Sequence, residues 1–149
     1  MPKKSTYWSN PEKYRKASRD CNRKRYKEDP IYKKKQAIKT AIWKKTTPKG
    51  RYSTLKRNSR RRNLPLRITQ EEFIRWYENE LSNCYYCNKF EKKENLEIER
   101  LNNIEPYKLG NIKFTCHNCN SVKGEILTEK EMLIVGKLVM EKRWKTKTL

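Results

Sequence analysis

Two Cys-x-x-Cys pairs constrain this chain more than any other feature. Cys84 and Cys87 form the first pair, Cys116 and Cys119 form the second, and 28 residues separate the inner cysteines. Each pair can present two thiolates from one tight turn, and four thiolates are the tetrahedral ligand set that a structural zinc ion prefers. We therefore predict that Cys84, Cys87, Cys116 and Cys119 bind Zn²⁺ and staple the second half of the chain.

The composition explains why the fold would need a metal ion to hold it together. Of the 149 residues, 34% are hydrophobic and 37% are charged, which leaves little apolar material for a large core. A small core commonly needs a metal ion to hold it together. The fifth cysteine, Cys21, makes the count odd. An odd count and two Cys-x-x-Cys turns favour metal binding in a reducing, intracellular compartment over a secreted disulfide scaffold.

The positive charge is concentrated in the first part of the chain. Residues 1–68 contain 24 Lys and Arg against 4 acidic residues, whereas residues 69–149 contain 14 against 13. No acidic residue occurs between Asp29 and Glu71. Charge of this density resists compaction unless a polyanion neutralises it, and nucleic acid is the polyanion we expect. The chain has no signal peptide, no apolar run near 18 residues and no regular amphipathic apolar face, so we expect neither export nor a membrane partner.

We predict that residues 1–68 form a basic, largely helical arm that binds nucleic acid, preceding a domain at residues 69–149. Asn10-Pro11 and Asp29-Pro30 are typical helix starts, because Asn and Asp cap helices and Pro fits the first turn. Residues Met1–Ser9 are interpreted as a tail. The helices could simply be solvated, but the scarcity of acidic partners favours helices that lie along phosphates.

A dense run of arginines lies near the end of the arm. The sequence RNSRRR, residues 57–62, contains four arginines in six positions. The forked guanidinium group of arginine can bind both phosphates and guanine edges, so this run could lie in a nucleic-acid groove or along its backbone. It could also be an unstructured basic linker. The arm residues that we expect on nucleic acid are Lys33, Lys34, Lys35, Arg57, Arg60, Arg61 and Arg62.

The second region combines helices with two predicted strands. Capping boxes at Thr69–Glu72 and Thr128–Glu131 each predict a helix start. The first helix carries an aromatic and aliphatic stripe that we interpret as core rather than as a platform for stacking bases; it consists of Phe73, Trp76, Tyr77 and Leu81. Apolar residues predict strands near 96–101 and 112–116, and a helix follows the second cysteine pair. The predicted class is α+β: a small zinc-stapled ββα module with flanking helices, preceded by the basic helical arm.

The combined motifs of this region resemble the HNH endonucleases of the ββα-metal class. The matching letters are IERLNN (98–103), PY (106–107), GN (110–111) and CHNCNSVK (116–123), within a resemblance that covers residues 69–141. They are most similar to short phage and large-virus HNH proteins with paired cysteine knuckles. The resemblance implies a ββα-metal fold, metal-dependent hydrolysis of DNA, and the cytoplasm of a bacterial or virus-infected cell.

The chemistry that the resemblance implies can be stated physically. Phosphodiester hydrolysis needs an activated water, neutralised charge on the phosphate and help for the departing oxygen. A hard divalent ion such as Mg²⁺ or Mn²⁺ supplies the last two and takes oxygen ligands. By resemblance, Glu99 and Asn120 are the ligands of this catalytic ion, Asn111 orients the loop and the catalytic side chain, and Lys123 lies near the substrate phosphate.

Arg100 and Asn102 depart from the family pattern. Arg100 stands where the family places its general base, a histidine, and an arginine stays protonated at neutral pH. Arg100 could instead clamp the phosphate or stabilise developing charge. The base would then be Glu99, a metal-bound hydroxide or His117, although His117 within the second knuckle is better explained as a knuckle side chain or a spare ligand. Asn102 replaces the aspartate that relatives commonly carry.

The sequence leaves three functions open. The leading interpretation is a metal-dependent HNH endonuclease that nicks or cuts double-stranded DNA, of phage or mobile-element type, with no organic cofactor. The alternative is a noncatalytic, zinc-stapled module that binds DNA or structured RNA, which Arg100 and Asn102 favour. A third and weaker interpretation is a scaffold of a nucleoprotein particle.

Overall fold

A computed structural model describes the backbone of residues 10–145 and the side chains of residues 10–142. These residues form six helices and four short strands, joined by loops. The predicted tail Met1–Ser9 lies outside the described residues. In chain order the elements are α1 (Pro11–Glu28), α2 (Pro30–Thr46), α3 (Pro48–Arg61), β1 (Leu66–Arg67), α4 (Gln70–Asn79), β2 (Glu97–Arg100), β3 (Tyr107–Lys108), β4 (Ile112–Thr115), α5 (His117–Lys123) and α6 (Glu129–Lys145). The chain divides into two compact units between Ile42 and Trp43.

The first unit contains α1 and most of α2, and both helices begin where the sequence predicts. The Asn10 side chain accepts a hydrogen bond from the amide of Lys13 at 3.1 Å, and Asp29 accepts one from the amide of Tyr32 at 2.9 Å. The Arg25 guanidinium lies 4.5 Å from the centre of the Tyr32 ring. None of the described residues 10–42 is buried, so this unit presents its lysines and arginines to solvent.

The third helix packs in the second unit, although the predicted arm extends through residue 68. Leu55 and Ser59 are buried on one face of α3. The Tyr52 hydroxyl donates to the carbonyl of Ile68 at 3.0 Å, and the Tyr52 ring lies 5.5 Å from the Phe73 ring. Strand β1 then pairs in parallel with β3. Apolar and small side chains at helical spacing therefore attach residues 43–68 to the module that follows, and the division of function between arm and domain stays a prediction.

The core of the second unit contains aromatic residues of the predicted stripe on α4. The capping box of α4 is formed: the amide of Thr69 donates to Glu72 at 2.8 Å and the amide of Glu72 donates back to the Thr69 hydroxyl. Phe73 is fully buried, and the Tyr77 ring meets the Phe114 ring edge-on at 5.3 Å. Leu81 does not belong to this stripe, because α4 ends at Asn79 and Leu81 is exposed.

Strands β2 and β4 form the hairpin of the predicted ββα unit. They pair antiparallel, with Glu99 opposite Lys113 and Arg100 opposite Ile112. Ile112 and Phe114 are fully buried, and α5 begins directly after β4. The predicted α+β class and its ββα module are therefore confirmed. Among the described residues, no helix has the length and apolar character needed to cross a membrane.

Helix α6 lies directly against the first cysteine knuckle. A Cβ atom at Gly136 would stand 2.2 Å from the carbonyl oxygen of Tyr86. Backbone therefore meets backbone at this point, and only glycine permits the approach. Met132, one turn earlier on α6, is fully buried.

We expect Gly136→Ala to destabilise the protein, although the same change in an exposed helix stabilises by about 1 kcal/mol. The added methyl must push α6 away from Tyr86. Thermal unfolding should show a lower Tm for Gly136→Ala and little change for the exposed neighbour Lys137→Ala. A Tm for Gly136→Ala equal to or above that of the unsubstituted protein would contradict the packing of α6 on the knuckle.

Candidate metal centre and active-site cleft

The four cysteines of the paired motifs converge on one point. Their Sγ atoms all lie within 4.8 Å of one another, and the Sγ atoms of Cys87 and Cys116 are 3.8 Å apart. All four side chains are buried and none is in a disulfide. Four sulfurs bound tetrahedrally at about 2.3 Å from a zinc ion would stand roughly 3.8 Å apart. The sulfur cluster therefore fits a metal ion such as zinc.

Local backbone structure fixes each pair of sulfurs. In the first knuckle the amide of Asn88 donates to the carbonyl of Cys84 at 2.9 Å, and Asn88 takes a left-handed conformation with φ of 50°. The amide of Tyr85 donates to the carbonyl of Phe114 at 2.8 Å, which ties this knuckle to β4. In the second knuckle, Cys116 caps α5 and its sulfur accepts from the amide of Cys119.

Repulsion between the four sulfurs, once ionised, would favour a bound cation. Burial raises the pKa of the Cys116 and Cys119 thiols, and the charge of Cys84 nearby raises it further. Burial also opposes ionisation of Cys84, but backbone amides that donate to its sulfur outweigh this and lower its pKa. Four buried thiolates would repel one another without a metal ion, so the donor set and its setting agree with metal binding.

A cleft of about 290 Å³ lies beside the hairpin, within the second unit. It brings together the two residues expected to bind a catalytic ion, Glu99 on β2 and Asn120 on α5. The lining residues of β2 and α5 include two carboxylates and an amide, and the other lining residues belong to α3 or, for Arg62, directly follow it. The lining residues are Arg51, Thr54, Leu55, Asn58, Arg62, Glu97, Ile98, Glu99 and Asn120.

Lys123 is the buried partner of Glu99. Its side chain is 0% exposed, and its Nζ donates to Glu99 Oε1 at 3.2 Å, to the carbonyl of Arg100 at 3.0 Å and to Asn103 Oδ1 at 3.0 Å. These contacts use all the protons of an ammonium group. In place of the phosphate contact that we predicted, Lys123 holds Glu99 and the loop after β2. Burial nevertheless raises the pKa of Glu99, against the effect of the Lys123 charge.

Arg100 faces away from the cleft. Successive side chains of a strand point to opposite sides, so Arg100 and Glu99 cannot share a face. Arg100 is buried, its Nη1 donates to the carbonyls of Asn103 at 2.5 Å and Glu105 at 3.1 Å, and its guanidinium lies 5.1 Å from the Tyr107 ring centre. This placement differs from the predicted phosphate clamp: Arg100 organises the loop that follows β2.

Asn111 holds the same loop from the other side. Its Oδ1 accepts from the amide of Asn102 at 2.8 Å, and its Nδ2 donates to the carbonyls of Asn102 at 3.1 Å and Pro106 at 3.0 Å. The Asn102 side chain accepts from the amide of Ile104 at 3.0 Å, so it is used within the turn. Asn111 therefore holds the loop after β2, and it does not line the cleft.

Two charged residues of the cleft, Glu97 and Arg51, were not predicted from the sequence. Glu97 lines the cleft, accepts a hydrogen bond from Asn120 Nδ2, and has its Oε1 3.0 Å from His117 Nδ1. The alternation in Glu97-Ile98-Glu99-Arg100 could have revealed it, because residues two apart on a strand share a face. Arg51 is the second, and it lines the cleft from α3.

His117 is mostly exposed, and its side chain contacts Glu97 and lies outside the sulfur cluster.

The fold has a counterpart among solved structures. The rare-cutting HNH restriction endonuclease PacI is similar with a TM-score of 0.55 and 22% identity, over 66% of this chain and 79% of that chain. The chain has an HNH-like α+β fold. The uncharacterized protein R423 of Acanthamoeba polyphaga mimivirus is 33% identical over 98 residues, a match that covers 66% of this chain and 18% of the viral protein. No protein-family model matches the sequence.

The sulfur cluster of this HNH fold should hold about one metal ion per chain. We expect Cys84→Ser to lose the ion and the cooperative unfolding of the second unit, because each sulfur of a four-thiolate site is a direct ligand. Cys21→Ser is the matched control, since Cys21 is exposed and outside the cluster. Elemental analysis and thermal unfolding would check both variants. Full metal content in Cys84→Ser would rule out the four-sulfur site.

Proposed function

We propose that this protein is a metal-dependent endonuclease that hydrolyses phosphodiester bonds of double-stranded DNA. The observation that carries the proposal is the cleft, which Glu99 and Asn120 both line although they lie on different elements. Their positions are those that the HNH resemblance assigns to ligands of the catalytic ion. PacI, which shares the fold, is a restriction endonuclease and perturbs DNA, and this supports DNA as the substrate.

The oxygen atoms of the cleft suit a hard divalent ion. Glu99, Asn120 and Glu97 provide carboxylate and amide oxygens, which Mg²⁺ and Mn²⁺ prefer over sulfur. The ion would neutralise the scissile phosphate and assist the departing oxygen. Lys123 holds one oxygen of Glu99 and so fixes the direction of the carboxylate. The four cysteines would bind Zn²⁺ with no position left for water, which is typical of a structural site.

The binding partner is inferred from the exposed charge of the first unit. Lys33, Lys34 and Lys35 are exposed on α2, and no acidic residue occurs between Asp29 and Glu71. Charges of this kind bind nucleic acid through its phosphates, release counterions and carry little sequence information. The first unit would therefore supply affinity for DNA, while the cleft performs the reaction.

A noncatalytic binding protein is the second candidate. The observation that favours it is the buried ion pair of Lys123 with Glu99, because an ammonium already compensates the carboxylate that a catalytic ion would need. The absence of a histidine at position 100 agrees with it. In this case the protein would bind DNA or structured RNA through its basic surface without cutting.

Plasmid nicking separates the two candidates. With Mg²⁺ or Mn²⁺ the protein should nick supercoiled plasmid, and EDTA should stop the reaction. Glu99→Gln and Asn120→Ala should each lower the rate on the order of 100-fold or more, because the first removes the negative charge of a carboxylate ligand and the second removes an amide oxygen ligand. Glu105→Gln, which removes the same charge outside the cleft, should retain activity.

Two results would count against this assignment. Unchanged nicking in both Glu99→Gln and Asn120→Ala would refute the proposed ligands. Absence of cleavage of every DNA form by the well-folded, metal-loaded protein would leave the noncatalytic candidate.

Charge removal on α2 should lower the salt dependence of DNA binding. If Lys33, Lys34 and Lys35 each neutralise one phosphate, their joint substitution by Gln should reduce the slope of log K against log salt by about 2.7, that is about 0.9 per contact. The control replaces three exposed lysines of the charge-balanced region, Lys92, Lys130 and Lys137, by Gln. Equal slopes for the two triple variants would contradict the role of the first unit.

A further inference from the structure

The wall of the cleft opposite the carboxylates is built by α3. Arg51, Thr54 and Asn58 stand at positions i, i+3 and i+7 of the helix, and Arg62 follows at i+11. A period of 3.6 residues places all four on one face. All four line the cleft, whereas the other basic residues of this stretch, Lys56, Arg57, Arg60 and Arg61, are exposed and do not. Arg51 and Arg62 therefore line the same cleft as Glu97 and Glu99.

Arg51 is held in place by the edge of β2. Its Nη2 donates to the carbonyl of Leu96, the residue before the strand. Burial lowers the pKa of Arg51, and the nearby Tyr77 and Glu97 act in the opposite direction. Its Nε has no hydrogen-bond partner among the described residues. Burying the charge of a guanidinium costs free energy, and an anion bound beside Arg51 would reduce that cost.

Arg62 is exposed but fixed by a buried tyrosine. Its Nη1 donates to the Tyr107 hydroxyl at 2.6 Å, and Tyr107 is almost fully buried. A neutral hydroxyl positions the guanidinium without neutralising its charge. Among the described residues, neither Arg51 nor Arg62 has a carboxylate within 4.0 Å, although two glutamates line the same cleft. Neither of these two positive charges therefore forms a salt bridge with a described carboxylate.

We propose that Arg51 and Arg62 bind the phosphate of the nucleic-acid backbone that enters the cleft and hold it facing Glu97 and Glu99. Arginine forks match the nonbridging oxygens of a phosphate. The cleft has no aromatic lining residue on which a base could stack, so the recognised group is the sugar-phosphate backbone. The placement of this phosphate for cleavage rests on the proposed nuclease function, whereas its binding does not.

Binding can be tested without any reaction. The ligand is thymidylyl-thymidine, which has a single phosphodiester, added to the full-length, zinc-loaded protein in the absence of Mg²⁺ and Mn²⁺. We expect the Arg Nε–Hε NMR signals of Arg51 and Arg62, assigned from Arg→Lys variants, to shift on titration. The control is Arg75, an exposed arginine on α4 outside the cleft, whose signal should stay in place. Shifts of equal size at all three arginines, or at none, would overturn the proposal.

Cleavage provides the second arm of the test. At saturating DNA, Arg62→Ala should lower the nicking rate on the order of 100-fold, Arg62→Lys should recover part of it, and Arg75→Ala should have no effect. Unchanged metal content and Tm would show that Arg62→Ala remains folded. Full activity in Arg62→Ala would refute the placement of the phosphate. Signal shifts in a protein that cuts no DNA would instead retain the phosphate site and refute only the proposed nuclease function.

Discussion

Four buried sulfurs brought within 4.8 Å of one another are the constraint on which the second unit depends. They close the 28 residues between the inner cysteines into one loop, and that loop contains the whole β2–β4 hairpin. Because Cys116 also caps α5, the position of the cluster fixes where this helix begins and where Asn120 points. The geometry of the cleft is thus a consequence of the sulfur cluster.

A buried polar network takes the place of a larger apolar core around the hairpin. Lys123, Arg100 and Asn111 are each nearly or fully buried, and their donors meet carbonyl and side-chain oxygens of residues 99–106. Buried polar groups of this kind are favourable only when they are hydrogen-bonded, so the loop can adopt few alternative conformations. Lys123, Arg100 and Asn111 therefore hold the loop that directly follows β2, the strand that carries Glu99.

The sequence predicted the features that depend on local spacing. The paired cysteines, the capping box at Thr69 and the alternating strands all rest on short-range rules, and the structure agrees with them. The contribution of α3 to the cleft was not predicted, because its buried face consists of isolated residues such as Leu55 and Ser59 within a strongly basic stretch. Nor does spacing reveal that Lys123 is buried, since this depends on contacts with residues some 20 positions away. Glu97 could have been found from strand alternation alone.

The central claim is that a thiolate-bound ion folds this unit so that an oxygen-lined cleft can take a second, different ion. Crystals grown with Mn²⁺ and measured at the zinc and manganese absorption edges would test it most directly. We predict a zinc peak among the four sulfurs and a separate manganese peak in the cleft, bound by oxygens of Glu99 and Asn120. An absence of metal among the sulfurs, or a cleft without manganese at saturating concentration, would contradict the account.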